Sequence, residues 1–362
     1  MNKQRESNIE LLRICTMLGV ILLHYNNPMI GRGFNFAQDL NLIILYVLES
    51  LCVCAVDLFI MISGYFLVKT NRRTILKPIE LIIQVILYSL GLYVIQLTLG
   101  YRGFELKELI SRIIPANYFV ILYCALYLVS PLYNLAIHNL NKKNLRNTLV
   151  ILIFIFSVWP TLVDLFSEFT NREWLGLSTI GMYGSQWGYS FVNFSLMYFI
   201  GGYIQKTKEG KELDRISNKI LLLGVSLSVV IMTIWSLLND KIGYFTEKSS
   251  WEYCNPFVIL TAGCLFILFL RIKIKPNKII NGLAKGAFSV FLLQNIFLTR
   301  INIEKYVTES IVLMLLHICI VSIGIYLICW IGYKIYSLIM DPIWRWIGKK
   351  LPIVNKNIYG EL

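Results

Sequence analysis

The sequence predicts an all-α fold: a polytopic membrane bundle of about ten transmembrane helices with both termini in the cytoplasm. Three observations predict it. Hydrophobic residues fill 57% of the 362 positions and charged residues only 15%, against about 25% charge in an ordinary soluble domain. The mean hydropathy is +0.64. Apolar stretches of spanning length recur from one end to the other, and the basic residues between them alternate in density from connection to connection.

The first stretch, 9–27, follows Lys3 and Arg5. No small-x-small cleavage site follows it, so it is expected to remain as the first helix rather than leave as a signal peptide. The second, 47–68, carries Glu49 and Asp57. The remaining segments are 79–99, 116–137, 148–166, 189–205, 220–239, 254–271, 286–303 and 311–336. With the N-terminus inside, 25 of the 34 Lys and Arg fall on the inner side. One missed helix would invert every later loop, so this bias supports the count and orientation. It also accounts for the net charge of +13 without a nucleic-acid partner, for which no motif is present. Two outer loops stand out, 167–188 and 240–253. The first is Gly-rich and aromatic, suited either to interfacial anchoring or to covering a site. Residues 1–340 are expected to form the transmembrane domain, and 341–362 a short basic cytoplasmic tail. The eight cysteines lie in or beside apolar runs without ligand spacing, which fits small hydrophobes and no metal site.

Charges inside a bilayer are costly and mark interior or functional positions. Glu10, Arg13 and His24 fall in the first segment, Glu49 and Asp57 in the second, and His317 in the last. Arg13 and His24 are eleven residues apart, close to three helical turns. They therefore share a face about 16 Å apart in depth. The stripe suits an anion-binding cation inside and a proton-transfer imidazole deeper. Snorkelling of Arg13 to lipid phosphate and a structural hydrogen bond for His24 are the competing reading. Asp57, or else Glu49, is placed to orient His24, unless these acids only bond helices together. Ser63 can line a polar path. The run Lys69, Arg72, Arg73, Lys77 suits a phosphorylated ligand or lipid headgroups. His138 reads as an interfacial histidine.

With these residues placed, the chain resembles the acyltransferase 3 family of integral membrane proteins. Arg13-x10-His24 is similar to that family's first-helix pair. Asp57 through Tyr65, reading Asp-Leu-Phe-Ile-Met-Ile-Ser-Gly-Tyr, is similar to its second-helix signature. Lys69 to Lys77 resembles its basic loop. Tyr118-Phe119 through Ser130-Pro131 resembles its fourth-helix motif, and Phe199-Ile-Gly-Gly-Tyr203 its sixth. One departure stands in the ninth helix, where Ser289-Val-Phe-Leu-Leu-Gln294 carries Gln294 in the family's usual histidine place. Glutamine bonds but carries no proton at neutral pH.

The resemblance implies an O-acyltransferase of the cell membrane, of a bacterial plasma membrane type. It implies acetyl-CoA or another acyl-CoA as the cytoplasmic donor and an extracytoplasmic carbohydrate or cell-surface glycan, such as exopolysaccharide or capsule, as acceptor. Membrane lipids surround it, and no metal is needed. His24 would act as general base with Asp57 or Glu49 orienting it. Arg13, Lys69, Arg72 and Arg73 would hold donor phosphates, while Ser63, Gln294 and His317 support the site. The alternatives are a polysaccharide or lipid-linked sugar transporter without acyl-transfer chemistry, and a non-catalytic sensor.

Overall fold

The computed structural model describes residues 5–210, 212–242 and 249–360. Lys3, Lys211 and Lys248, counted in the charge balance, lie outside the described residues, as does the middle of the second outer loop. Among the described residues there is no strand. The principal helices are α1 (Ser7–Asn26), α2 (Asp39–Cys52), α3 (Ala55–Leu67), α4 (Leu76–Thr98), α5 (Tyr118–Asn139), α6 (Lys142–Ile153), α7 (Trp159–Thr170), α8 (Phe191–Glu209), α9 (Asn218–Ile242), α10 (Pro256–Arg271), α11 (Lys278–Ala284), α12 (Ala287–Leu298) and α13 (Ile311–Lys350). A π-turn over Phe154–Val158 joins α6 to α7.

Among the described residues eight helical stretches are long and apolar enough to cross a membrane. A ninth arises if α11 and α12, bent by 59°, count as one. The chain is therefore a multi-pass membrane protein. Helix α8 occupies the remaining expected segment, 189–205, but its polar residues keep it below that apolarity. It avoids lipid instead, with Phe194, Leu196, Met197 and Tyr198 buried in the bundle. The flanks of the outer helices carry the lipid-facing side chains, such as Leu222, Val312 and Ile320.

The boundaries moved at two places that matter. Residues 47–68 are not one straight helix: Val53 and Cys54 break it, leaving Glu49 on α2 and Asp57 on α3. The last helix does not stop near 336 or 340 but continues through Pro342 to Lys350. Its 40 residues extend about 60 Å, twice the hydrocarbon thickness of about 30 Å. Residues 341–350 of the expected 341–362 tail thus continue a membrane helix.

Close backbone approach holds the centre. A Cβ on Gly64 would collide with the Tyr198 carbonyl, and one on Gly201 with the Met61 carbonyl. The glycines of α3 and α8 therefore let the two backbones touch. This gives the Ser-Gly-Tyr and Gly-Gly-Tyr motifs a packing role.

Basic connections gather at one end of the bundle. Glu6, just before α1, accepts from Lys69 and Lys208, at 3.4 and 3.1 Å. Lys142 pairs with Glu212 there. The backbone N–H of Ile358 donates to the Arg73 carbonyl at 2.9 Å, so the described ends of the chain share that side. At the opposite end, Asn41 bonds the carbonyls of Val307 and Glu309. The positive-inside rule assigns the basic end to the cytoplasm.

Replacing Gly64 with Val is expected to cost about 1–3 kcal/mol through overpacking, read as a lower thermal unfolding midpoint in detergent. Gly91→Ala, where an added Cβ meets nothing within 4 Å, is expected to leave that midpoint unchanged or raised.

Candidate active site

A cavity of about 780 Å³ opens between α1, α3, α4, α5, α12 and α13. Arg13, Met17 and Val20 of α1 line it, spaced four and three residues apart as one helical face requires. Val56, Phe59 and Ser63 form the matching face of α3. Phe119 and Tyr123, with Phe288 and Phe291, make the deeper walls apolar. The mouth is basic: Arg5, Arg13, Lys77, Lys285 and Arg345 line it, against Glu80 and Asp341. Arg13 donates to Glu10 at 3.1 Å, and Arg5 shares the same carboxylate at 3.2 Å. Lys77 pairs with Glu80.

His24 lies one turn beyond Val20 on the same α1 face. Gln294, three residues beyond Phe291 on α12, faces its ring. The pair does not close into a hydrogen bond of ordinary geometry. Nδ1 of His24 and both amide atoms of Gln294 are buried without a bonded partner. Gln294 is 0% exposed. Such atoms are expensive to leave unsatisfied in an apolar interior, so a polar group placed between the two side chains would be favoured.

The two acids expected to orient His24 are engaged elsewhere. Asn193 of α8 donates to Asp57 Oδ1 at 3.1 Å, which draws Asp57 toward the α3–α8 contact, while Oδ2 is unpartnered. Asn26 donates to Glu49 Oε2 at 2.8 Å, tying the outer end of α1 to α2. His317 sits against Tyr25, ring nitrogen to hydroxyl 2.9 Å, and stacks on Tyr306 with centroids 3.8 Å apart. Tyr25 follows His24 by one residue and points to a different helix face, so His317 stands apart from the imidazole it was expected to assist. Ser63 does line the cavity, although its hydroxyl donates back to the Phe59 carbonyl.

The basic run divides by location. Arg73, expected to bind phosphate, is 0% exposed. Its Nε donates to Ser130 Oγ at 2.7 Å and to the Tyr127 carbonyl, Nη1 to the carbonyls of Thr70 and Arg72, and Nη2 to that of Leu67. A guanidinium saturated by carbonyls fastens the α3–α4 loop to α5, and the fourth-helix Ser-Pro motif supplies its receptor. Lys69 packs over Tyr65 and Phe66 and bonds Glu6. Arg72 is exposed, reaching the Asn355 carbonyl. Of that run only Lys77 lines the cavity. Lys285 and Arg345 complete the mouth and were not singled out in the sequence. Their signal there was only that both count among the inner-side cations, Lys285 at the end of a connection and Arg345 in the tail.

Burial pushes the Glu6 carboxyl up, but the hydrogen bond and charge of Lys208, with Lys69 behind, outweigh it and hold the group below its ordinary range. Among the described residues no group of three or more His, Cys, Asp or Glu could hold a metal ion.

The family model described as an acyltransferase domain, Acyl_transf_3, matches residues 6–334. The chain belongs to this acyltransferase 3 family and is an acyltransferase enzyme. No curated protein and no solved structure matches it.

Two outcomes follow. Arg73→Gln is expected to lower the detergent unfolding midpoint sharply, since several buried carbonyls lose their donor, whereas Arg72→Gln leaves it nearly unchanged. The lowered Glu6 pKa makes its stabilisation full above the ordinary carboxylate range and lost as pH falls through the lowered value. Wild type should therefore exceed Glu6→Gln in unfolding midpoint at neutral pH, and the two should converge in strong acid.

Proposed function

We propose that this acyltransferase moves an acyl group, most simply acetyl, from cytoplasmic acyl-CoA to a hydroxyl of an extracytoplasmic glycan. One observation carries the reading. A basic-mouthed cavity is lined by Arg13, Met17 and Val20 of α1 and Phe291 of α12, and one turn beyond those walls, outside its lining, stand His24 and Gln294, with Nδ1 and both amide atoms buried and unbonded. The charge order matches the donor. Phosphates seek Arg13, Lys77 and Lys285 at the mouth, and the slimmer pantetheine arm suits the apolar walls beyond. The thioester then arrives beside His24.

The chemistry uses the unsatisfied atoms. The acceptor hydroxyl attacks the thioester carbonyl carbon while His24 Nδ1 takes the hydroxyl proton as general base. The carbonyl oxygen becomes an oxyanion, to which Gln294 Nε2 donates. Collapse breaks the carbon–sulfur bond, and the imidazolium returns its proton to the departing thiolate. The oxygen ester and the free thiol of CoA are the products. Gln294 in place of a histidine supplies a donor and an acceptor without a second titrating group.

Asp57 and Glu49 act on this site as positioning residues. Glu49 holds Asn26, two residues beyond His24, and Asp57 fixes α3 against α8 through Asn193. Lys69 and Arg72 lie outside the cavity lining, so the donor is held by the cations of the mouth itself.

His24→Ala is expected to abolish transfer of labelled acetyl from acetyl-CoA to surface glycan, while the protein elutes unchanged on size exclusion. Retained transfer in that folded variant would end the general-base role. Gln294→Leu should lower kcat about 100-fold with KM for acetyl-CoA kept, as loss of one oxyanion donor does. Mass spectrometry of surface glycans from cells with and without the gene identifies the acceptor.

A further inference from the structure

The matched family region ends at residue 334, yet the donor cavity does not. Tyr336, Asp341, Trp344 and Arg345 line its mouth from the extension of α13. The extension is anchored. After Lys350 the chain turns back, and Asn357 Oδ1 accepts from the Arg73 backbone N–H at 3.0 Å. Ile358 N–H donates to the Arg73 carbonyl at 2.9 Å, and the Tyr359 hydroxyl to the Leu128 carbonyl at 2.7 Å. These bonds clip the returning segment both to the Arg73 loop and directly to α5. Trp344 is buried and directs its indole N–H to the Tyr336 hydroxyl at 3.4 Å. Within the extension, Pro342 lacks the N–H that would otherwise bond the Leu338 carbonyl.

Charge says what this segment meets. Arg13, Arg5 and Lys77 have carboxylate partners. Lys285 and Arg345 have no acidic partner among the described residues, and Arg345 Nε bonds only the Asp341 carbonyl, one turn back on its own helix. Two uncompensated cations from chain segments 60 residues apart therefore face one mouth. Taking this cavity as the donor site proposed above, we infer that Arg345 is a specificity-determining residue for the phosphate-bearing nucleotide end of acyl-CoA. The clipped 351–360 segment holds it in place. The nucleotide end carries the donor's phosphates, whereas pantetheine is uncharged, so Arg345 contributes to one half of the ligand alone.

The test is isothermal titration of the purified full-length protein with coenzyme A and, separately, with pantetheine. Arg345→Gln is expected to weaken coenzyme A binding about five- to tenfold, the scale of one charge-assisted contact, and to leave pantetheine binding unchanged. Tyr359→Phe, which removes one clip bond, should weaken coenzyme A binding in the same direction by less. Lys349→Gln removes equal charge from the same helix outside the cavity and should change neither. Equal coenzyme A affinity in wild type and Arg345→Gln overturns the inference while leaving the donor site intact. An equal loss with both ligands, or the same loss in Lys349→Gln, overturns it as well. A wild-type protein that binds no coenzyme A sinks the donor reading itself.

Discussion

A polar atom inside a bilayer must find a partner within the protein, because lipid supplies none. Most of this structure can be understood as the working out of that requirement. Arg73 is surrounded by carbonyls and Ser130. Asn134 donates to Leu67 and Thr70 carbonyls and accepts from the Tyr198 hydroxyl at 2.7 Å. Ser289 accepts from Gln84 and Tyr88, and Ser50 from Thr233 and Trp251. Apart from the Arg73 bonds to Thr70 and Leu67 beside it, these bonds join segments distant in sequence. Other buried polar atoms also lack a partner, Thr16, Ser157 and Ser322 among them, but His24 and Gln294 bring three such atoms face to face just beyond the cavity wall.

The same requirement explains the division between structure and chemistry among the charged residues. Glu6, Tyr65 and Lys208 form a closed set at the basic end. Glu10 serves Arg5 and Arg13 together, which keeps Arg13 at the cavity wall rather than in lipid. Cations at the mouth and aromatic walls beyond it create a gradient from charged to apolar along one helix face. A ligand with phosphates at one end and a thioester at the other fits that gradient in one direction.

The helical architecture was legible because apolar length and basic-loop alternation are both local in sequence. So was the Arg13–His24 face, since helix geometry alone fixes it. The partners of His24 were not. A depth estimate placed Asp57 and Glu49 near it, but depth says nothing about which way a side chain turns, and Asn193 and Asn26 claimed them. Arg73 was misplaced for a similar reason. Sequence cannot distinguish a loop cation facing solvent from one drawn inward by unsatisfied carbonyls. Lys285 and Arg345 escaped notice because only tertiary packing brings them beside Arg13, and the end of α13 was missed because a helix that leaves the membrane loses the hydropathy that traces it.

On the proposed mechanism a cytoplasmic thioester reaches His24 along the inner face of α1. The most direct measurement is a cryo-EM structure of the inactive His24→Ala protein with acetyl-CoA bound. The expected result is density with the nucleotide at the Arg13, Lys77 and Lys285 mouth and the acetyl group beside Gln294 and residue 24. Donor density outside this cavity, or an acetyl group remote from Gln294, would contradict it.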